Sequence, residues 1–261
     1  MIVAVALISL AILSLNYAYA FKIVTVGDLS CDRDSLQTMS NIINYLKENK
    51  VDRFVFLGDI DYGPYDAGQD YFACGKNFLK QTANYTELRI IKGNHEFPHV
   101  WGNLTKDFNA KSIWSDKFDN VLLVGIDTEQ SWKKQYGQIR DFLNQTASKK
   151  FVFMHKPALP ETCLAKPLGE IIEMCGFFEL YHPLFLKEKV DCVIQAHFHT
   201  FALFNHDGIC YNIYGMGGAE RSDHVNRYYS NKTFESDLNG FVVIEDNNHI
   251  FYANNGSVFN H

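Results

Sequence analysis

Apolar residues gather in short runs along the chain, and these runs alternate with longer amphipathic stretches. The run Phe21–Val26 is typical of a buried strand, whereas Asp34–Asn49 places apolar residues at the spacing of a helix face. Further strands are predicted at Arg53–Leu57, Leu88–Ile91, Asn120–Ile126, Phe151–Met154, Val190–Gln195, Ile209–Tyr214, Gly240–Glu245 and His249–Ala253, and further helices at Tyr136–Thr146 and Phe177–Glu188. This alternation indicates a layered α/β fold, in which ligands gather at the carboxyl ends of strands.

Polar residues follow five of these strands directly. The five blocks are Gly27-Asp28, Gly58-Asp59-Ile60-Asp61-Tyr62, Gly93-Asn94-His95-Glu96, His155-Lys156-Pro157 and Ala196-His197-Phe198-His199. Carboxylate, amide, phenol and imidazole groups without a thiolate suit iron, manganese or zinc. One such block alone is more often a turn or a hydrogen-bonded core residue, so the prediction of a metal site depends on all five together.

In this order, the blocks resemble those of the calcineurin-like metallophosphoesterases, and more closely their purple acid phosphatase branch. That branch reads G-D-x-G, G-D-x-x-Y, G-N-H-[DE], V-x-x-H and G-H-x-H, and its equivalents here are Gly27–Ser30, Gly58–Tyr62, Gly93–Glu96, Val152–His155 and Ala196–His199. The tyrosine of the second block distinguishes the branch from most of the superfamily. The resemblance implies a layered β-sandwich flanked by helices, with a single catalytic domain over residues 21–261.

The resemblance further implies a pair of metal sites that share one carboxylate. The ligands would be Asp28, Tyr62 and His199 for Fe(III), Asn94, His155 and His197 for Fe(II), Zn or Mn, and Asp59 as the bridge. His95 would face the substrate without binding metal. Glu96 would orient a neighbouring ligand, as metal sites commonly require.

The implied activity is that of an acid phosphatase, which hydrolyses a small phosphomonoester by metal-activated hydroxide. A phosphodiesterase or nucleotide pyrophosphatase is an alternative, because the fold and the metal blocks do not fix the leaving group. A non-catalytic metal-binding surface protein is the alternative from another class. Serine- or cysteine-based hydrolysis is set aside, since the chain has neither G-x-S-x-G nor C-x₅-R.

The chain departs from the branch pattern at three points. Ser30 and Ala196 replace glycines, and neither change removes a ligand. Relatives often have a second substrate-facing histidine soon after the fourth block, and this chain has none between Lys156 and Tyr181. Lys156, Lys166 or Tyr181 are the candidates to replace its charge, although each also fits an ordinary loop or surface role.

The N-terminal stretch Met1–Ala20 has no Asp, Glu, Lys or Arg and ends in Ala18-Tyr19-Ala20. This pattern is typical of a secretory signal with an A-x-A cleavage site, so we expect cleavage after Ala20 and a secreted or cell-surface protein without a stable membrane span. An uncleaved membrane anchor is the alternative. The apolar run is shorter than the roughly 20 residues that a spanning helix needs.

Composition agrees with an exported globular enzyme. The 261 residues are 47% hydrophobic and 21% charged, and the net charge of −6 lacks the basic excess of a protein that binds nucleic acid. Six cysteines without a C-x-x-C pair are compatible with disulfides, and we expect Cys163–Cys175 and Cys31–Cys74. N-x-[ST] sequons add weak support for export, at Asn84, Asn103, Asn144, Asn231 and Asn255.

Overall fold

The computed structural model describes residues 21–60, 62, 71–159, 170–219, 233–246 and 248–261. The helices are α1 (Arg33–Glu48), α2 (Tyr71–Thr82), α3 (Pro98–Phe108), α4 (Trp132–Leu143) and α5 (Glu170–Lys187). The strands are β1 (Lys22–Val26), β2 (Arg53–Phe56), β3 (Glu87–Ile90), β4 (Trp114–Phe118), β5 (Val121–Gly125), β6 (Lys149–Phe153), β7 (Cys192–Gln195), β8 (Phe201–Leu203), β9 (Asn205–His206), β10 (Ile209–Tyr214), β11 (Phe234–Ser236), β12 (Gly240–Glu245), β13 (Asn248–Ala253) and β14 (Val258–Asn260). The predicted signal segment, residues 1–20, lies outside these ranges.

The strands form two mixed sheets. The first sheet has the order β14-β13-β12-β1-β2-β3, in which β1, β2 and β3 are parallel. The second sheet has the order β11-β8-β10-β7-β6-β5-β4, with β9 beside β10, and its strands β5, β6, β7 and β10 are parallel. Each parallel group therefore brings the carboxyl ends of several strands to one edge of its sheet.

Successive side chains on a strand point to opposite faces of the sheet, so each strand contributes to two different cores. On β1, Ile23 belongs to the core between the two sheets together with Phe153 of β6, whereas its neighbour Val24 belongs to a second core with Ile42 of α1. On β6, Val152 faces away from the first sheet and joins a third core that includes residues of α4 and α5. The result is helices, sheet, sheet and helices in succession, which confirms the predicted layered β-sandwich flanked by helices.

Several elements were not predicted from the sequence. Helix α3 begins at Pro98 and buries only Val100 and Leu104, too few apolar positions for a clear helical period. Helix α5 begins at Glu170 rather than at the predicted Phe177. Within the described ranges, no helix is both long and apolar enough to cross a membrane.

Candidate metal centre

The predicted site residues follow the carboxyl ends of parallel strands in both sheets. Asp28 follows β1, Asp59 follows β2, Asn94 follows β3, His155 follows β6 and His197 follows β7. A backbone hydrogen bond joins the two edges, because the N–H of Gly27 donates to the carbonyl of Tyr214 at the end of β10, at 2.9 Å. The two edges therefore form one site.

One group of predicted ligands surrounds the hydroxyl of Tyr62. The hydroxyl oxygen lies 2.6 Å from Asp28 Oδ1 and 3.1 Å from Asp59 Oδ2. It also lies 2.9 Å from His199 Nε2. The structure thus brings together the three residues that the resemblance assigns to Fe(III), with the proposed bridge beside them.

A second group surrounds His155. Its Nε2 lies 3.0 Å from Asn94 Oδ1 and 3.2 Å from Asp59 Oδ2. The His197 ring centroid is 5.1 Å from that of His155, and Asp59, His155 and His197 each offer a ligand atom within 4.8 Å of the others. These are the residues that the resemblance assigns to the second ion, and Asp59 faces both groups.

Backbone groups orient these side chains. The His197 N–H donates to Asp28 Oδ2 at 2.8 Å, and the His95 N–H donates to Asp59 Oδ1 at 2.8 Å. His155 Nδ1 lies 2.9 Å from the Leu57 carbonyl, which only accepts, so Nδ1 carries a proton and Nε2 faces the cluster. These backbone partners could not be predicted from the sequence, because every residue carries a peptide group and none of these groups is distinguished by residue type.

Three of the predicted ligands adopt a left-handed backbone. Asp28 has φ 60°, Asp59 has φ 58° and His197 has φ 69°. This region is sparsely populated by residues other than glycine, and such conformations persist at functional sites where the surroundings hold them. The sharp change of direction after each strand turns these side chains towards the cluster.

Two glycines leave room for the carboxylates of Asp28 and Asp59, because they have no side chain. A Cβ atom on Gly93 would lie 2.2 Å from Asp59 Oδ1, and a Cβ atom on Gly215 would lie 2.4 Å from Asp28 Oδ2. Any side chain there would displace a predicted ligand. The glycine of the G-N-H-E block is therefore explained by its contact with the neighbouring loop.

Glu96 joins the loops that follow β2 and β3. Its buried carboxylate accepts from the N–H groups of Asp59 at 2.9 Å, Ile60 at 2.7 Å and Gly93 at 2.6 Å. Burial and the nearby charge of Asp59 raise the pKa of Glu96 to about 7. Its contacts are those expected of a residue that positions a ligand.

The buried charges of the cluster depend strongly on each other. Burial raises the pKa of Asp28, although His155 and His199 oppose this effect. Burial also acts to raise the pKa of Asp59, but attraction to His155 outweighs it and holds that pKa below its usual range. Burial acts to lower the pKa of His155, whereas attraction to Asp59 raises it to about 10. Opposite charge thus controls the pKa values in this cluster, and bound cations would act on the carboxylates in the same direction as His155 does.

The donor set fits metal ions. Two fully buried carboxylates, a phenol, an amide oxygen and imidazole nitrogens converge, and no thiolate is among them. Burial and both neighbouring carboxylates raise the pKa of Tyr62, so its phenolate form requires a cation close by. Hard and intermediate ions such as iron, zinc and manganese match these donors.

The other candidates for substrate contact have structural partners. Lys156 Nζ lies 3.0 Å from Glu129 Oε1, and the buried Tyr181 donates from its hydroxyl to the Trp132 carbonyl at 2.8 Å. Tyr181 is therefore a core residue on the buried side of α5. Lys166 lies outside the described residues.

Two disulfides lie among the described residues, one beside the first sheet and one within the second sheet. Cys31 pairs with Cys74, as expected, and so ties the loop after β1 to α2. Cys192 pairs with Cys210 between the neighbouring strands β7 and β10, a pairing that was not predicted from the sequence. Cys163 lies outside the described residues, so Cys163–Cys175 stays a prediction.

Comparison with known proteins assigns the family. The calcineurin-like phosphoesterase family model matches residues 21–201, and the chain therefore belongs to that family. Its members bind two metal ions. A search of curated proteins by sequence finds no match.

Solved structures share the fold at low sequence identity. The chain is similar to a purple acid phosphatase from yellow lupin (Lupinus luteus) seeds, with a TM-score of 0.72 and 17% identity over 92% of this chain and 52% of that one, so it spans about half of the lupin enzyme. It is also similar to GAP50, the anchor in the inner membrane complex of Plasmodium, with a TM-score of 0.67 and 15% identity over 93% of this chain and 88% of that one. A dimetal phosphatase from Danio rerio gives a TM-score of 0.56 and 12% identity over 92% of this chain and 98% of that one.

Proposed function

We propose that the chain is an exported, binuclear metal-dependent phosphoesterase that hydrolyses phosphomonoesters, as an acid phosphatase does. One observation carries the proposal. Asp59 Oδ2 lies 3.1 Å from the Tyr62 hydroxyl and 3.2 Å from His155 Nε2, so one carboxylate oxygen faces both groups of ligands. A carboxylate oxygen in this position can bridge two neighbouring ions, which would place them close together as in a two-metal site.

The two ligand groups differ in chemistry. The group with the phenol of Tyr62 would hold Fe(III), and the group with His155 would hold Fe(II), Zn or Mn. When bound, these ions would neutralise phosphate oxygens and activate water for attack on phosphorus. Backbone N–H groups and the Glu96 carboxylate would keep the metal ligands in place.

His95 has a position suited to the substrate. Its backbone N–H is held by Asp59, and its partly exposed ring lies with its centroid 4.3 Å from that of Tyr62. The imidazole therefore lies at the rim of the cluster. We assign it a hydrogen bond to the phosphate or proton donation to the departing oxygen.

Substitution of Asp59 by Asn tests the proposal directly. The Asn side chain retains an oxygen for the His95 N–H but loses the charge that both ions would share. We expect Asp59→Asn to lose bound metal, measured by elemental analysis, together with aryl monophosphate hydrolysis. The matched control is Asp119→Asn, because Asp119 is exposed and also has a positive φ, of 47°.

The result separates the proposal from its alternatives. Full metal content and activity in Asp59→Asn would contradict the shared-carboxylate site. Faster turnover of a bis-aryl phosphate than of an aryl monophosphate would indicate a phosphodiesterase instead. Stoichiometric metal without hydrolysis of any ester would indicate a non-catalytic protein.

Export is the second part of the proposal. The disulfides Cys31–Cys74 and Cys192–Cys210 are compatible with an oxidising compartment, and the sequon residues among the described positions are all exposed: Asn84, Asn103, Asn144 and Asn255. N-terminal sequencing of protein recovered outside the cell should begin at Phe21. A first residue of Met1 would contradict cleavage.

A further inference from the structure

A cluster of two histidines and an aspartate lies at the other end of the second sheet from the metal centre. It consists of His182 on α5, His206 on β9 and Asp207 in the turn before β10. Strand β10 runs from Ile209, beside this cluster, to Tyr214, beside the metal centre. At about 3.3 Å per residue, roughly 16 Å of strand separates the two.

The hairpin of β9 and β10 fixes two of the three side chains. His206 pairs with Ile209, and the two residues between them have positive φ, 51° at Asp207 and 84° at Gly208. An Asp-Gly pair with this conformation is the favoured two-residue hairpin turn. The hairpin therefore holds His206 and Asp207 in a defined position beside α5.

His182 is oriented by contacts on its other side. Its ring is buried and stacks on Phe178, with centroids 4.7 Å apart and an interplanar angle of 13°. Its Nδ1 lies 2.7 Å from the Tyr211 hydroxyl, so Nε2 faces the hairpin. A hydrogen bond to the second ring nitrogen is the usual means by which a protein orients a metal-binding histidine.

The three ligand atoms of the cluster lie within 4.8 Å of one another, which is close enough to hold one ion. Bonds of about 2.0–2.1 Å to zinc place neighbouring ligand atoms about 3.4 Å apart. Asp207 Oδ2 lies 3.2 Å from His182 Nε2 and 3.7 Å from His206 Nε2. The Asp207 side chain is 60% exposed and that of His206 is 37% exposed, which leaves a fourth position open to water.

We propose that His182, His206 and Asp207 form an additional zinc site, distinct from the candidate metal centre. Imidazole and carboxylate ligands suit this ion, and three protein ligands with one open position are a common arrangement for it. Zinc would link helix α5 to the β9–β10 hairpin. This proposal does not depend on the chain being a phosphatase.

Zinc binding to the full-length protein, already loaded with its other metals, tests the proposal by calorimetric titration. We expect one further zinc ion per chain. His206→Ala and Asp207→Asn should lose this equivalent. Asn tolerates the positive φ of the turn, so the second variant keeps the hairpin. Asn205→Ala, an exposed neighbour on β9, is the control and should bind as the original protein does.

Tyr211→Phe provides an independent test, because it removes only the hydroxyl that faces His182. We expect zinc affinity at this site to fall about 10- to 100-fold, with the ring packing retained. Zinc affinity unchanged in both His206→Ala and Asp207→Asn would overturn the proposal. Absence of the further equivalent from the original protein would overturn it as well.

Discussion

The two carboxylate oxygens of Asp59 have different partners. Oδ1 accepts from the His95 N–H at 2.8 Å, and Oδ2 faces Tyr62 and His155. A carboxylate fixed by the backbone through one oxygen presents the other in a single direction. The same contact also fixes the backbone of His95, so the proposed bridge and the proposed substrate-facing residue depend on each other.

The proposed role of His95 predicts a loss of turnover without a loss of metal. We expect His95→Ala to lower kcat about 10²- to 10⁴-fold, because general acid catalysis typically contributes this much. Its backbone N–H, which holds Asp59, is retained in the variant. Elemental analysis should therefore show the original metal content. His99→Ala, on the exposed side of α3, is the control and should keep full activity.

The proposed Fe(III) site predicts a coloured protein. Phenolate bound to ferric iron absorbs visible light by charge transfer, so we expect an absorption band that Tyr62→Phe abolishes. This substitution removes only the hydroxyl that contacts Asp28, Asp59 and His199. Tyr85→Phe, at an exposed tyrosine, should keep the band. An active, colourless enzyme containing only zinc or manganese would contradict the assignment of iron.

At the scale of elements, the site depends on how the loops after β2 and β3 are held together. The three N–H groups that donate to Glu96 come from both loops. A buried carboxylate with three donors stabilises one arrangement of these loops, and with it the left-handed backbone of Asp59. Glu96 would therefore act on the candidate metal centre through the backbone.

Substitution of Glu96 by Gln should weaken the metal centre. One of the two acceptor oxygens becomes an NH₂ group, which repels at least one of the backbone donors. We expect metal affinity to fall about 10- to 100-fold, as for other residues that support ligands, measured by metal retention during dialysis against a chelator. Glu87→Gln, exposed at the start of β3, is the control. Equal retention by both variants would contradict this role for Glu96.

At the scale of the whole molecule, a polar contact crosses the apolar core between the sheets. The hydroxyl of Tyr214 on β10 hydrogen-bonds Nδ1 of His249 on β13, and Asn212 donates to the same hydroxyl at 2.8 Å. His249 also faces His261 near the C-terminus. Burial, with repulsion from His261, lowers the pKa of His249 to about 4.

The burial of neutral His249 predicts a loss of stability in acid. The unfolded chain takes up a proton on His249 near pH 6.5, whereas the folded protein resists it until about pH 4. Stability from the neutral form is therefore lost as the pH falls through this window. The shift corresponds to a loss on the order of 3 kcal/mol in the free energy of unfolding.

His249→Asn should remove this part of the pH dependence while keeping an acceptor for Tyr214. Urea unfolding at pH 7 and pH 4 measures how much the free energy of unfolding changes with pH in the original protein and in the variant. Carboxylates that titrate in both proteins contribute equally to both changes, so the difference between the two changes reports on His249. His99→Asn should behave as the original protein does, because His99 is exposed. An equal decrease in all three proteins would show that His249 does not contribute.

The parts of the fold that were predicted have strong local signals. Strand β10 and strand β12 occur at the predicted residues, because both are apolar runs bounded by polar turns. Helix α3 was not predicted, because few of its positions are apolar. Strand β8 was not predicted, because a run of three residues is too short to show a period. Pairing of β7 with β10, and with it the Cys192–Cys210 disulfide, depends on contacts between distant segments.

Periodicity and residue identity are local properties, so the layered class of the fold and the chemical types at the strand ends could be predicted from the sequence alone. Other contacts are visible only in the folded chain: Asp59 Oδ2 reaches both Tyr62 and His155, Glu96 joins two loops, and His182 contacts the β9–β10 hairpin. These contacts arise from sheet order and from left-handed backbone at the strand ends. Both are set by packing between segments far apart in the chain, which no local pattern records.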